Sequence, residues 1–138
     1  MPVQAEFVEI LADAPVALGD ANRLWEAEFS TTGRVTNGAA FLMFNVKHLN
    51  FASSPVPVKV NQVLIGYIYP YRELNDDDRN NAAEHWHTQL IAIGGSTLHN
   101  GANELEIQAA TFPNPGNPGN LFDDYSLKNV ICFYHKES

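Results

Sequence analysis

The sequence predicts an all-β protein, an antiparallel β-sandwich or jelly roll of about eight or nine strands with at most one short helix. Short segments alternate apolar and polar residues with a period of two, as in Leu24–Ser30, which is typical of strands buried on one face. Gly, Pro, Asn and Asp separate these segments, as expected of turns. Helical spacing is confined to Asn75–Trp86, where an Asp or Asn cap would begin about two turns.

The other strands follow from the same signals. Gln4–Leu11 alternates, and the nearly continuous apolar run Ala39–His48 predicts a central strand buried on both faces. Val56–Asn61 alternates and leads through a short connection into Leu64–Tyr69, which indicates a hairpin. The prolines and glycines of Phe112–Asn120 predict a long surface loop. The remaining predicted strands are Thr88–Ile93, Glu104–Ala110 and Leu127–His135.

Two segments near the C-terminus favour an antiparallel sandwich most strongly. In Leu98–Ile107, the pair Asn100–Gly101 supplies a turn, because both residue types tolerate positive φ. After this turn, apolar and polar residues alternate, with Leu105 the first on the apolar face and Glu104 the first on the polar face. In Asp123–Tyr134, an acidic turn introduces a mostly apolar strand. Two packed sheets need strands with at least one apolar face, and both of these segments supply such a strand after a turn.

Composition limits the function. We expect residues 1–138 to form a single domain. Eight basic residues against sixteen acidic ones give a net charge of −8, which argues against nucleic acid or an anionic membrane as a partner. No run approaches the ~20 apolar residues that a membrane span needs. The N-terminus shows no Sec signal, so we expect a cytoplasmic protein or export by another route. The single cysteine, Cys132, excludes an internal disulfide and is expected in the core, with a nucleophile or a disulfide between chains as the alternative.

A polar cluster, Asn75–Asn81, suggests calcium, which prefers oxygen ligands. It does not form an EF-hand from Asp76, because Asn81 replaces the required glycine and His87 replaces the bidentate Glu. We therefore expect a solvated connection or helix cap, with a calcium loop of another type as the alternative. No cofactor is required, and calcium is an optional one. The weak candidate ligands are Asp76, Asp78, Asp123 and Asp124.

His85 and His87 lie two apart, so in a strand they would share a side and chelate one ion, as in cupins. The segment after them contains no acid, and nothing in the sequence fixes His99 or His135 as a third ligand. The alternative is a polar histidine face that turns Trp86 toward the core.

Catalytic patterns are lacking. No Ser–His–Asp order, Cys–His pair or phosphate-binding loop is present. Glu104 and Glu106 share a strand face as a glycosidase pair would, but beside an exposed hairpin we expect them to be solvated. We therefore predict a protein that is not an enzyme and has no catalytic residues.

Aromatic residues suggest a binding site. Tyr67, Tyr69 and Tyr71 lie two apart and would share one face of a strand. Aromatic rings stack on sugars, and the polar residues that follow would bond to hydroxyl groups. The alternative is a tyrosine ladder that packs against a neighbouring sheet or protomer. The predicted ligand contacts are Trp86, Tyr69, Tyr71, Arg72, Asp76 and His87.

Four features in order carry a family resemblance: the hairpin Val58–Ile68, then Trp86, then Leu98–Ile107, then Asp123–Tyr134. This order is similar to galactose-binding-like jelly rolls, the fold of many carbohydrate-binding modules and of accessory domains in polysaccharide-cleaving enzymes. The resemblance covers about residues 56–135. Gln62 departs from the family pattern, in which a glycine usually occupies this position of the turn.

The resemblance and the aromatic residues together predict a non-catalytic, lectin-like module that binds carbohydrate and does not insert into membranes. One alternative is a structural subunit that self-assembles into a filament, coat or secreted particle, with homo-oligomers formed through strand edges and tyrosine-rich faces. A second alternative is a cupin-like metal-dependent enzyme built on His85 and His87.

Overall fold

The computed structural model describes residues 3–19, 22–49, 55–70, 85–111, 122–123 and 125–137. These residues form strands and no helix, so the predicted all-β class is confirmed. None of the described segments is a helix able to cross a membrane. The strands are β1 Val3–Leu11, β2 Val16–Leu18, β3 Leu24–Ser30, β4 Ala40–Lys47, β5 Val56–Val60, β6 Val63–Ile68, β7 His87–Ile93, β8 Ala102–Gln108, β9 Ala110–Thr111, β10 Phe122–Asp123 and β11 Tyr125–Glu137.

Two antiparallel sheets form the sandwich. The five-stranded sheet has the order β1-β11-β4-β7, and β2 pairs with the first residues of β11. The four-stranded sheet has the order β3-β8-β5-β6, and β9 and β10 form a separate two-stranded ribbon. The nine strands of the two main sheets agree with the predicted jelly roll. Most neighbours in each sheet are distant in sequence, so neither sheet is a simple meander.

The core lies between the inner faces of the two sheets. Leu42 and Phe44 of β4 are fully buried there, as are Leu105 and Ile107 of β8. The expectation that β4 is buried on both faces is wrong, because on the outer side of its sheet Phe41 is 40% exposed. The sequence of β4 is apolar on both faces of the strand, but the opposite sheet buries only the inner face.

The β5–β6 hairpin closes tightly although Gln62 replaces the usual glycine. Asn61 and Gln62 both have positive φ, 52° and 68°, the conformation of a type I′ turn. Four residues after Gln62, Gly66 faces the other sheet, where an added Cβ would lie 2.8 Å from Cγ2 of Ile91. The glycine of this hairpin therefore allows β6 to approach β7 closely.

A buried asparagine closes the same end of the sandwich. Asn103 donates from Nδ2 to Thr31 Oγ1 at 2.9 Å and to the Gly101 carbonyl at 3.0 Å. Its Oδ1 accepts from the His99 amide at 2.7 Å and from Asn61 Nδ2 at 2.8 Å. One side chain thus joins β3, the β7–β8 connection, the start of β8 and the β5–β6 turn. The predicted turn before β8 is confirmed, and it belongs to the scaffold.

The long connections leave and rejoin the sheets at the opposite end, because β4, β6 and β8 end there while β5 and β7 begin there. We call this the loop end. Within the predicted helix Asn75–Trp86, residues 75–84 lie outside the described part, and residues 85–86 are not helical. The predicted loop Phe112–Asn120 also lies outside the described part.

Candidate functional site

Trp86 occupies the loop end of the five-stranded sheet. It directly precedes β7, and because His87 pairs with Val46, Trp86 lies beside the end of β4. The Nζ atoms of Lys128 and Lys47 lie 4.5 Å and 5.6 Å from its ring centroid. The ring is half-buried among these lysines, so the alternative that placed Trp86 toward the core is wrong. The arrangement is a cation–π cluster on the outer surface.

Sheet pairing explains why two lysines meet one tryptophan. Ser126 pairs with Lys47, and Lys128 pairs with Asn45, so alternate residues of β4 and β11 project outward beside each other. Lys128 also forms an ion pair of 3.4 Å with Asp13, which is largely exposed. Asn45 accepts a hydrogen bond of 2.9 Å from the Thr88 hydroxyl in the adjacent row. Ammonium, amide and hydroxyl groups therefore surround an accessible indole.

Tyrosines occupy the facing edge of the four-stranded sheet. Tyr67 and Tyr69 flank the buried Ile68 and are both exposed, Tyr69 by 57%. Their ring centroids lie 6.3 Å apart with the planes tilted by 58°. The shared face predicted for these two tyrosines is therefore present, and Tyr71 lies outside the described residues.

Gln89 links the two edges at the loop end. Its Oε1 accepts from the Tyr69 amide at 3.0 Å, and its Nε2 donates to the Tyr69 carbonyl at 2.9 Å. This pair of bonds fixes the end of β6 against β7, which begins directly after Trp86. Tyr69 and Trp86 are thus held at the two ends of one connection, on edges of different sheets.

The six predicted ligand contacts divide into two groups. Tyr69, Trp86 and His87 lie at the loop end, whereas Tyr71, Arg72 and Asp76 lie outside the described residues. His87 is half-buried. His87 directly follows Trp86, so the two side chains project to opposite sides of the sheet.

The predicted histidine pair is not extended by a third histidine. His85 is exposed in the bend before β7, and only His87 belongs to the strand. The length of β7 places His99 at the other end of the sandwich, roughly 20 Å away. His135 lies on the outer face of β11. Within the described segments, these four histidines do not form a group with the spacing of a metal site.

Of the predicted calcium ligands, Asp76, Asp78 and Asp124 lie outside the described part, and for Asp123 only the backbone is described, in β10.

The described part of the chain does bring carboxylates together on the four-stranded sheet. Glu26 pairs with Glu106 and Glu28 pairs with Glu104 across β3 and β8. Ligand atoms of Glu26, Glu104 and Glu106 lie within 4.8 Å of one another. Four carboxylates therefore share this surface, where opposed like charges repel, and Lys59 borders them opposite Glu106. We call this surface the acidic face.

Cys132 is fully buried in the core, as predicted. Burial raises the pKa of its thiol to about 12, so the thiolate needed for nucleophilic attack is scarce at neutral pH.

Sequence reasoning missed an apolar surface on the outside of the five-stranded sheet. Phe41 and Phe133 stack with ring centroids 4.8 Å apart, and Phe7 lies 6.0 Å from Phe133. The next row contains apolar residues of β11, β4 and β7. The signal was the doubly apolar pattern of β4. We call this surface the aromatic face, and its residues are Phe7, Phe41, Met43, Leu90, Ile131 and Phe133.

Comparisons with known proteins establish the fold. No family model and no curated protein matches the chain. A variant of BuGH86 in complex with neoagarooctaose superimposes with a TM-score of 0.54 at 14% identity, over 99% of this chain and 20% of that one. A β-porphyranase of glycoside hydrolase family 86 from the human gut bacterium Bacteroides plebeius superimposes with a TM-score of 0.53 at 15% identity, over 99% of this chain and 21% of that one. The CBM36-1 domain of a multidomain xylanase from the hindgut metagenome of Trinervitermes trinervoides superimposes with a TM-score of 0.51 at 10% identity, over 94% of this chain and 96% of that one.

The chain therefore spans about a fifth of the two longer chains and nearly the whole of a carbohydrate-binding module. At these identities the likeness concerns the fold. The predicted resemblance to a carbohydrate-binding-module-like jelly roll is confirmed.

Proposed function

We propose that this domain is a non-catalytic module that binds carbohydrate at its loop end. The observation that carries the proposal is the half-buried Trp86 side chain on the outer surface, with Lys47 and Lys128 beside its ring. An indole offers a flat apolar surface to the C–H face of a sugar ring, while ammonium groups donate hydrogen bonds to its hydroxyls.

Neighbouring groups support this site. The hydrogen-bonded Asn45 and Thr88 lie in the adjacent row of the sheet and supply further donors and acceptors. Tyr69 adds a second exposed ring at the other end of the β6–β7 connection. A few polar groups around aromatic surfaces are what an orienting ligand site needs. Two solved structures of this fold also support the class of ligand, since one is a carbohydrate-binding module and another was solved with neoagarooctaose.

Binding without catalysis is favoured by the chemistry of this end. Neither the indole nor the lysines form an acid–base pair, and Cys132 is enclosed in the core. The domain would hold a polysaccharide chain at its surface, and chemistry on that chain would require another protein or domain. Calcium remains an optional ligand, because the oxygen-rich segment 75–81 lies between Tyr69 and Trp86 in the sequence.

A glycan array followed by calorimetric titration tests the proposal, with calcium present in one series and a chelator in the other. We expect saturable binding to at least one oligosaccharide and at least a tenfold loss of affinity in Trp86→Ala, equivalent to about 1.4 kcal/mol. Leu64→Ala is the control, because Leu64 is an exposed apolar residue, 47%, beside the β5–β6 turn at the end of the sandwich opposite Trp86. No binding to any sugar in either series would refute the proposal. Equal losses in Trp86→Ala and Leu64→Ala would refute the site.

A further inference from the structure

The aromatic face is unusual for an antiparallel sheet. Such sheets commonly have one face in the core and one polar face in water. Here the middle of the central strands β4 and β11 is apolar on both faces: Phe41 and Met43 project outward from β4, and Ile131 and Phe133 from β11. This part of each strand is therefore suited to burial on both sides.

The size of the aromatic face matches that of an interaction surface. Phe7 is 57% exposed and Phe41 is 40% exposed, so at about 200 Å² for a whole phenylalanine these two contribute roughly 200 Å². Leu90, 62% exposed, and the half-buried residues bring the apolar area to roughly 400 Å², within the range of functional surface patches. This is about half of what each partner buries in a standard interface, which suits a weak and reversible association.

The charge distribution makes the aromatic face the surface on which a second copy of this chain meets the least repulsion. With a net charge of −8, two copies repel each other. The acidic face concentrates part of that charge on the four-stranded sheet, where Glu26, Glu104 and Glu106 meet. Around the aromatic face, Lys47 and Lys128 offset two of the three carboxylates Glu9, Asp13 and Glu137. Two copies that meet through their aromatic faces therefore keep their acidic faces apart.

The register of the sheet also makes the surface self-complementary. One row runs Phe7, Phe133, Phe41, Ala92 across β1, β11, β4 and β7. A two-fold axis parallel to the strands places Phe133 over Phe41 of the second copy and the large Phe7 over the small Ala92. In the next row the same axis places Ile131 over Met43, and Leu90 over Glu9 at the edge of the contact. A groove of about 230 Å³ beside Phe41 and Phe133 can accept a protruding side chain. We infer that the protein forms a weak face-to-face dimer through the aromatic face, with both loop ends pointing the same way.

Sedimentation equilibrium over a wide concentration range tests this inference, with Phe41→Lys as the disrupting variant. Leu64→Lys is the control, because Leu64 is a similarly exposed apolar residue, 47% against 40% for Phe41, on the other sheet. We expect the wild-type protein to dimerise with a dissociation constant on the order of 1–100 µM. Phe41→Lys should weaken it at least tenfold, since the lysine would be buried against Phe133 of the second copy. Leu64→Lys should leave it unchanged.

Circular dichroism first establishes that both variants are folded. A wild-type protein that stays monomeric at every concentration overturns the inference, and the aromatic face then belongs to a different partner. A dimer that Phe41→Lys and Leu64→Lys weaken equally overturns it as well. Sugar binding is measured separately, so failure of the dimer leaves the proposed function standing.

Discussion

Replacing Asn103 with alanine should destabilise the sandwich severely. Asn103 is 3% exposed, and its side chain makes four hydrogen bonds of 2.7–3.0 Å, two as donor and two as acceptor. At about 1 kcal/mol net for each bond, the loss is about 4 kcal/mol. Since small domains have a total stability of about 5–15 kcal/mol, the variant would be close to the limit of folding.

Urea denaturation followed by circular dichroism measures this loss directly. Asn100→Ala is the control, because Asn100 lies in the same turn but accepts a single exposed bond, 2.9 Å from the Gly33 amide. We expect the control to lose less than about 1 kcal/mol. If the two variants differ by less than about 1 kcal/mol, Asn103 is not the residue that holds this end of the sandwich together.

Three further predictions concern local structure. In denaturant unfolding, Gln62→Gly should raise the free energy of unfolding by about 1 kcal/mol, because it relieves the positive φ of 68°. Gln62→Ala should leave it unchanged, and equal stabilities of the two variants would contradict the strain argument. Gly66→Ala should lower the free energy of unfolding by about 1–3 kcal/mol, because its Cβ would lie 2.8 Å from Ile91. Gly94→Ala should lower it much less, because its Cβ would meet nothing nearer than 3.6 Å. Burial raises the pKa of Cys132 from 9.0 to about 12, so the folded state keeps a proton that the unfolded state releases. This contribution to stability is complete below pH 9 and falls by about 1.4 kcal/mol per pH unit up to about pH 12. Urea midpoints should show a shallower decline in Cys132→Ala, and identical declines would exclude this linkage.

Strand positions could be predicted from the sequence where one face is polar. Leu24–Ser30 was predicted with the bounds that β3 has, because apolar and polar residues alternate cleanly along it. The same reasoning missed β2, which has only three residues, too few for a periodic signal. It also could not foresee the irregularity in β11 near Asn129, which has a φ of 51°, since a bulge changes register without an obvious change of composition.

The candidate site was predictable only in part. Trp86 and Tyr69 could be selected by residue type, and both lie at the loop end. Lys47 and Lys128 could not, because they are distant in sequence from Trp86 and only the pairing of β7, β4 and β11 brings all three together. The aromatic face was missed for a related reason: a doubly apolar strand pattern predicts burial on both faces but does not identify what covers the second one.

Fluorescence of Trp86 tests the central claim most directly. The chain has two tryptophans, and Trp25→Phe leaves Trp86 as the single reporter at the proposed site. Titration of this variant with a panel of neutral and acidic oligosaccharides should give a saturable change in emission with at least one of them, and Lys47→Met with Lys128→Met should weaken it. A folded variant whose emission does not change with any oligosaccharide, with or without calcium, would contradict the account.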